Sequence, residues 1–186
     1  MYVKPTNAIA CFFAVSLFFM GLWPINIFGQ TVQVEFDDWF ENKALRIDYV
    51  LGGDRNSQHF YLDEVKVEKY WSKPHSKTID KLGLGSYKVE VTDKKTNKLI
   101  YSHGFCTLFE EWQSVKEAST LRRSFEQVTR IPLPKNEVVV TFKQRNKQGD
   151  FEELYNLPID PNSYVVKRTP PPNFRVTEIT NNEDFN

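Results

Sequence analysis

The chain is poor in the residues that do chemistry. Its three histidines, His59, His75 and His103, are never followed four residues later by another, so the zinc-peptidase motif H-E-x-x-H is absent. It has two cysteines, Cys11 and Cys106, too few for a disulfide framework. No G-x-S-x-G elbow, P-loop or dinucleotide fingerprint occurs; GLGS at 83–86 has the wrong order and reads as a turn before a strand. No N-x-Ser/Thr sequon is present. An excess of charge of either sign is also missing. The 24 basic and 24 acidic residues are interspersed, which leaves no electrostatic footprint for nucleic acid.

What is present begins with a run of another kind. No charge occurs between Lys4 and Glu35, and residues 8–22, AIACFFAVSLFFMGL, are almost wholly apolar. One basic residue, an apolar stretch and small or polar residues near Gly29 and Gln30 predict a secretory signal peptide over residues 1–30. The rival is an uncleaved anchor, against which Pro24 and Asn26 interrupt the run. Cleavage removes Cys11 and leaves Cys106 alone. The expectation is an exported protein, whether periplasmic, secreted or at the cell surface, whose fold rests on its core.

Fifteen Phe and eight Tyr favour strands. Leu45, Ile47, Tyr49 and Leu51 alternate with Arg46, Asp48 and Val50, and Tyr87, Val89 and Val91 with Lys88, Glu90 and Thr92. Both patterns predict strands with one dry face. Further strands are expected at VQVEF, HFYLDEVKV, LIYSHGF, VVVTFKQR, GDFEELYNLPID and SYVVKR, and a short helix within 110–124. About nine strands with frequent turns predict an all-β fold, an antiparallel β-sandwich with at most one short helix, over residues 31–168. TPPPN opens a proline-rich linker at 169–186.

The stretch YSHGFCTLFEEW, 101–112, is the densest in reactive side chains. On a helix His103, Cys106 and Glu110 would share a face and could hold a metal; on a strand His103 and Cys106 point opposite ways. The apolar residues before it and the turn upstream favour the strand, with Cys106 a buried small hydrophobe. The acidic pairs Asp37-Asp38, Glu110-Glu111 and Glu152-Glu153 read as solvated faces, and Asp54 with Asn56 and Asp93 with Asn97 as turn residues. Trp39, Trp71 and Trp112 could line a sugar platform, with core burial the default. Catalytic, cofactor-binding and metal residues are assigned nowhere. Trp71, Glu111 and Trp112 are the candidate interdomain or ligand contacts.

The order of motifs carries a resemblance. LRIDYVLGGD, GSYKVEVTD, LIYSHGFCTLFEEWQ with KEA, RSFEQVTRIPLPK and IDPNSY, in that sequence, resemble the N-terminal domain of the IgA-peptidase family of secreted bacterial zinc metallopeptidases, over about residues 34–170. The resemblance implies an immunoglobulin-like or jelly-roll-like sandwich followed by a separate catalytic domain carrying H-E-x-x-H. Zinc is expected only in that domain, which this chain lacks, and no zinc ligand carries over. Read this way, the chain is a noncatalytic accessory domain that supports its own C-terminal catalytic domain or presents a protein or glycoprotein substrate to it. The alternative is a free-standing exported module binding glycan or host protein; a hydrolase in its own right is the third reading.

Overall fold

The computed structural model describes residues 34–168 and Pro170. The expected signal peptide and nearly all of the expected linker lie outside the described residues. After one helical turn, α1 (Phe36–Trp39), come β1 (Phe40–Asp54), β2 (Ser57–Glu68), β3 (Tyr87–Asp93) and β4 (Leu99–Phe105). Helix α2 (Leu108–Ser114) and a 3-10 turn (Lys116–Ser119) precede β5 (Arg123–Pro134), β6 (Val138–Arg145), β7 (Phe151–Ile159) and β8 (Val166–Lys167). The strands form two sheets of four, ordered β5-β1-β2-β8 and β4-β3-β6-β7. Every neighbouring pair is antiparallel except β2 with β8, which run parallel. The chain is an all-β sandwich.

Both alternating patterns face inward. Leu45, Ile47, Tyr49 and Leu51 are buried on β1, and Tyr87, Val89 and Val91 on β3. The two layers meet through aromatic rings: Phe60 of β2 stacks on Tyr49 of β1 at 4.5 Å and on Tyr155 of β7 at 4.4 Å, with Phe142 of β6 4.9 Å away. In β2 the inward residues change parity, from Phe60 to Val65. A bulge absorbs the extra residue: Asp48 pairs with Glu64 but Tyr49 with Leu62, so both apolar sets reach one core.

Several expectations need correction. Of VQVEF, the described part is not strand: Val34 and Glu35 are irregular, and Phe36 opens α1. The helical turn puts Phe36 and Phe40 four residues apart on one face, and their rings meet at 5.4 Å in the core. Eight strands are found among the described residues, and SYVVKR contributes only Val166 and Lys167. The strand of YSHGFCTLFEEW ends at Phe105. Glu111 and Trp112 belong to α2, which begins before the expected helix and ends before it too. Thr107 causes the switch: its extended backbone and side-chain oxygen, accepting from the Glu110 N–H at 3.2 Å, form an N-cap. Cys106 sits between strand and cap and is exposed, not buried.

Candidate functional site

The motif letters TLFEEWQ and KEA build a lid at one end of the sandwich. Phe109 and Trp112 of α2 are buried against Phe125 of β5, with ring centroids 5.7 to 5.9 Å apart. The Trp112 indole N–H donates to Glu117 at 2.7 Å, and Arg123 reaches the same carboxylate oxygen at 3.1 Å. The indole hydrogen bond, then the Arg123 charge, hold the Glu117 carboxyl below its ordinary range. Gln113 Nε2 donates to the carbonyls of Asp54 and Ser57, and Arg55 Nη2 to that of Val115, tying the lid to the β1–β2 turn. Glu110 accepts from the Ser86 hydroxyl. The signature segment therefore closes the apolar core. Phe109, Trp112 and Gln113 are spent on contacts within the domain, while Cys106, Leu108 and Glu111 stay exposed.

The candidate contacts do not come together. Trp71 is 9% exposed and packs edge-on to Tyr101 of β4, with Lys73 over its ring; Trp112 is 7% exposed within the lid; Glu111 is exposed on α2. Trp39 is half-buried with Lys98 over its ring. The histidines are equally scattered. His75 stacks on Phe36 at 3.8 Å, His59 lies near Tyr61, and His103 lies on β4. No three His, Cys, Asp or Glu side chains converge among the described residues, so no donor set there fits zinc.

Sequence reading missed the end opposite the lid. There α1, the β3–β4 turn, the β5–β6 turn and the segment after β7 surround a cleft of about 800 Å³. Backbone bonds fix its walls: Lys135 N–H donates to Trp39 O at 2.9 Å and Lys94 N–H to Glu137 O at 3.0 Å. Asp93, almost wholly buried, accepts from the Thr96 N–H and hydroxyl, while Asn97 turns the chain at φ 56°. The rim carries both signs. Asp38, Glu137 and Asp160 face Lys94, Lys95 and Lys135, and the Glu137 carboxylate raises the Lys94 ammonium above its ordinary value. The D-x-x-T and K-N-E turns that build it are visible in the sequence, but only the sheet order makes them neighbours. A mixed-charge cleft around a tryptophan edge suits a protein surface, since interdomain contacts are more polar than cores.

The family model for the peptidase M64 N-terminus matches residues 35–156. That span includes the whole lid and three of the four segments around the cleft. No curated protein matches the chain.

Proposed function

We propose, from the premise that the chain belongs to the peptidase M64 N-terminal family, that it is a noncatalytic accessory domain of an exported, IgA-peptidase-type zinc metallopeptidase. It would support a catalytic domain or present protein substrate to it. The observation that carries the reading is the placement of the cleft. The first described segment, through Asp38 and Trp39, and the segment that follows β7, through Asp160 and Asn162, line the same mixed-charge end of the sandwich. A neighbouring domain joined to the sandwich would lie beside that end. The uncharged run at 8–22 supports export. The zinc and its H-E-x-x-H ligands would belong wholly to the catalytic domain, where zinc would supply Lewis-acid activation of water.

The test reads the coding sequence past Asn186 and then measures activity. A zincin motif within the next domain is expected; a stop codon there, with no such motif following, sinks the shared-polypeptide reading. In the enzyme so defined, deleting 34–168 or reversing the rim with Lys94→Glu and Lys95→Glu is expected to lower kcat/KM on folded protein. The rim reversal should cost about fivefold, equivalent to about 1 kcal/mol, the upper end for an exposed ion pair. Cleavage of a short peptide should persist. Unchanged turnover of folded protein after the deletion would exclude an accessory role.

A further inference from the structure

A second recess lies on the open side of the sandwich, away from both the lid and the charged cleft. The connection from β2 to β3 passes along β4: Ser102 N–H donates to Thr78 O at 2.9 Å, and Ser102 Oγ accepts from the Asp80 N–H at 2.9 Å. Between that connection and β4 is a space of about 470 Å³. Tyr101 and His103 share a face of β4, since their partners Val91 and Val89 both point inward. Ile79 and Leu82 add apolar surface, and Leu82 is 77% exposed.

The polar groups in this recess are unbalanced. Lys73, Lys77 and Lys81 line it, and none of them enters an ion pair among the described residues. The lone acid there, Asp80, accepts on Oδ1 from the backbone N–H groups of Leu82 at 3.0 Å and Gly83 at 3.3 Å. Tyr101 is 2% exposed, and its hydroxyl, which no described residue hydrogen-bonds, is in contact with solvent at the recess. Burial first, then the charge of Asp80, holds that phenol protonated and so a donor. Lys73 and His103 are both exposed at the mouth of the recess, where partial desolvation lowers the Lys73 ammonium and, with the Lys73 charge, the His103 imidazole.

We infer that this recess binds a small organic anion, a carboxylate with an apolar body. Its charged end would meet Lys73, Lys77 and the Tyr101 hydroxyl, and its body would lie on Ile79 and Leu82. Cations with no ion-pair partner among the described residues, beside a phenol that can donate, call for an acceptor-only group, which a carboxylate is. Exposed aliphatic surface beside them selects for a ligand that is more than its charge.

Calorimetric titration of the purified chain with 4-phenylbutyrate tests this, with acetate, inorganic phosphate and neutral 4-phenylbutyramide as comparison probes. Saturable binding of phenylbutyrate is expected, about tenfold or more tighter than the amide or acetate, on the scale of a charge-assisted hydrogen bond or a buried ring. Amide NMR shifts should move at Ile79, Leu82 and His103. Tyr101→Phe removes only a hydroxyl that no described residue hydrogen-bonds, so it should leave Tm unchanged and weaken binding several-fold; Lys73→Ala with Lys77→Ala should weaken it more. The inference is overturned by amide or phosphate binding as tightly as the carboxylate, by wild-type affinity in both variants, or by no saturable carboxylate binding.

Discussion

Gly104 has no room for a methyl group. A Cβ there would lie 1.9 Å from the carbonyl oxygen of Leu84, and 3.2 Å from Asp80 Oδ2. The constraint is close approach by another backbone, because Gly104 itself keeps ordinary strand geometry. Its partner is the GLGS turn, where Gly85, at φ 91°, is equally crowded by Phe105. Arg145 locks that turn by donating to the carbonyls of Gly83 and Gly85 while covering the ring of Phe151 at 4.2 Å. Gly104→Ala is expected to cost about 3 kcal/mol, the upper range for overpacking, read as a lower urea midpoint. A change below about 0.5 kcal/mol, the ordinary surface range, would show that the turn yields. A glycine inside a strand is legible in the sequence as a sign of close approach. Which backbone approaches is not, since Leu84 comes from a separate loop.

At the scale of elements, the lid shows where letter-by-letter reading succeeds and fails. Thr107-Leu108-Phe109-Glu110 is an S/T-x-x-E pattern, the sequence mark of a helix start. Strand parity carried past Phe105 overlooks it and leaves Glu111 and Trp112 on a strand. The helix matters because it places Phe109 and Trp112 over the end of the core. Trp112→Phe removes the hydrogen bond to Glu117 and part of the buried ring system. It is expected to destabilise by about 1–3 kcal/mol and to speed amide exchange in α2 and at Arg55–Ser57. Exchange quickening only in α2 would mean the lid and the β1–β2 turn are not coupled. The bulge in β2 is the counterpart in the sheet. The apolar letters Phe60 and Val65 announce a parity break, but only pairing with Tyr49 and Asp48 places it at Asp63.

Across the whole molecule, the outer face of one sheet is a ladder of alternating charge. Lys167 of β8 meets Glu64 of β2, Glu64 meets Lys66, Lys66 meets Asp48 of β1, and Asp48 meets Arg46 at 2.6 Å. Arg46 then meets Glu68, and Glu68 meets Arg130 of β5. The chain of contacts crosses all four strands. The hydrogen bond from Lys167, then that from Lys66, hold the Glu64 carboxyl at about 2, below its ordinary 4.5. A depressed carboxyl contributes stability above its unfolded value and loses it as pH falls through the folded one. Glu64→Gln should therefore lower Tm at neutral pH. The gap to wild type should narrow from pH 4.5 downward and close near pH 2, as Tm measured across that window will show. A constant gap would mean that Glu64 acts through packing and not through charge. Such exposed contacts are weak singly and screened by salt.

The sequence by itself determined the class of the fold, because a period of two in apolar letters is a local property and each strand carries its own copy. It also carried family membership, since motif order needs no coordinates. Tertiary structure decided everything that depends on which strand lies beside which. The sheet order brings Asp38, Lys94, Lys135 and Asp160 around one cleft, and sets beside Tyr101 three lysines that form no ion pair among the described residues. It also turned YSHGFCTLFEEW into half a strand and half a lid. Surface charge leaves almost no trace in local pattern, and the partners of a side chain are fixed by contacts between residues far apart in the chain.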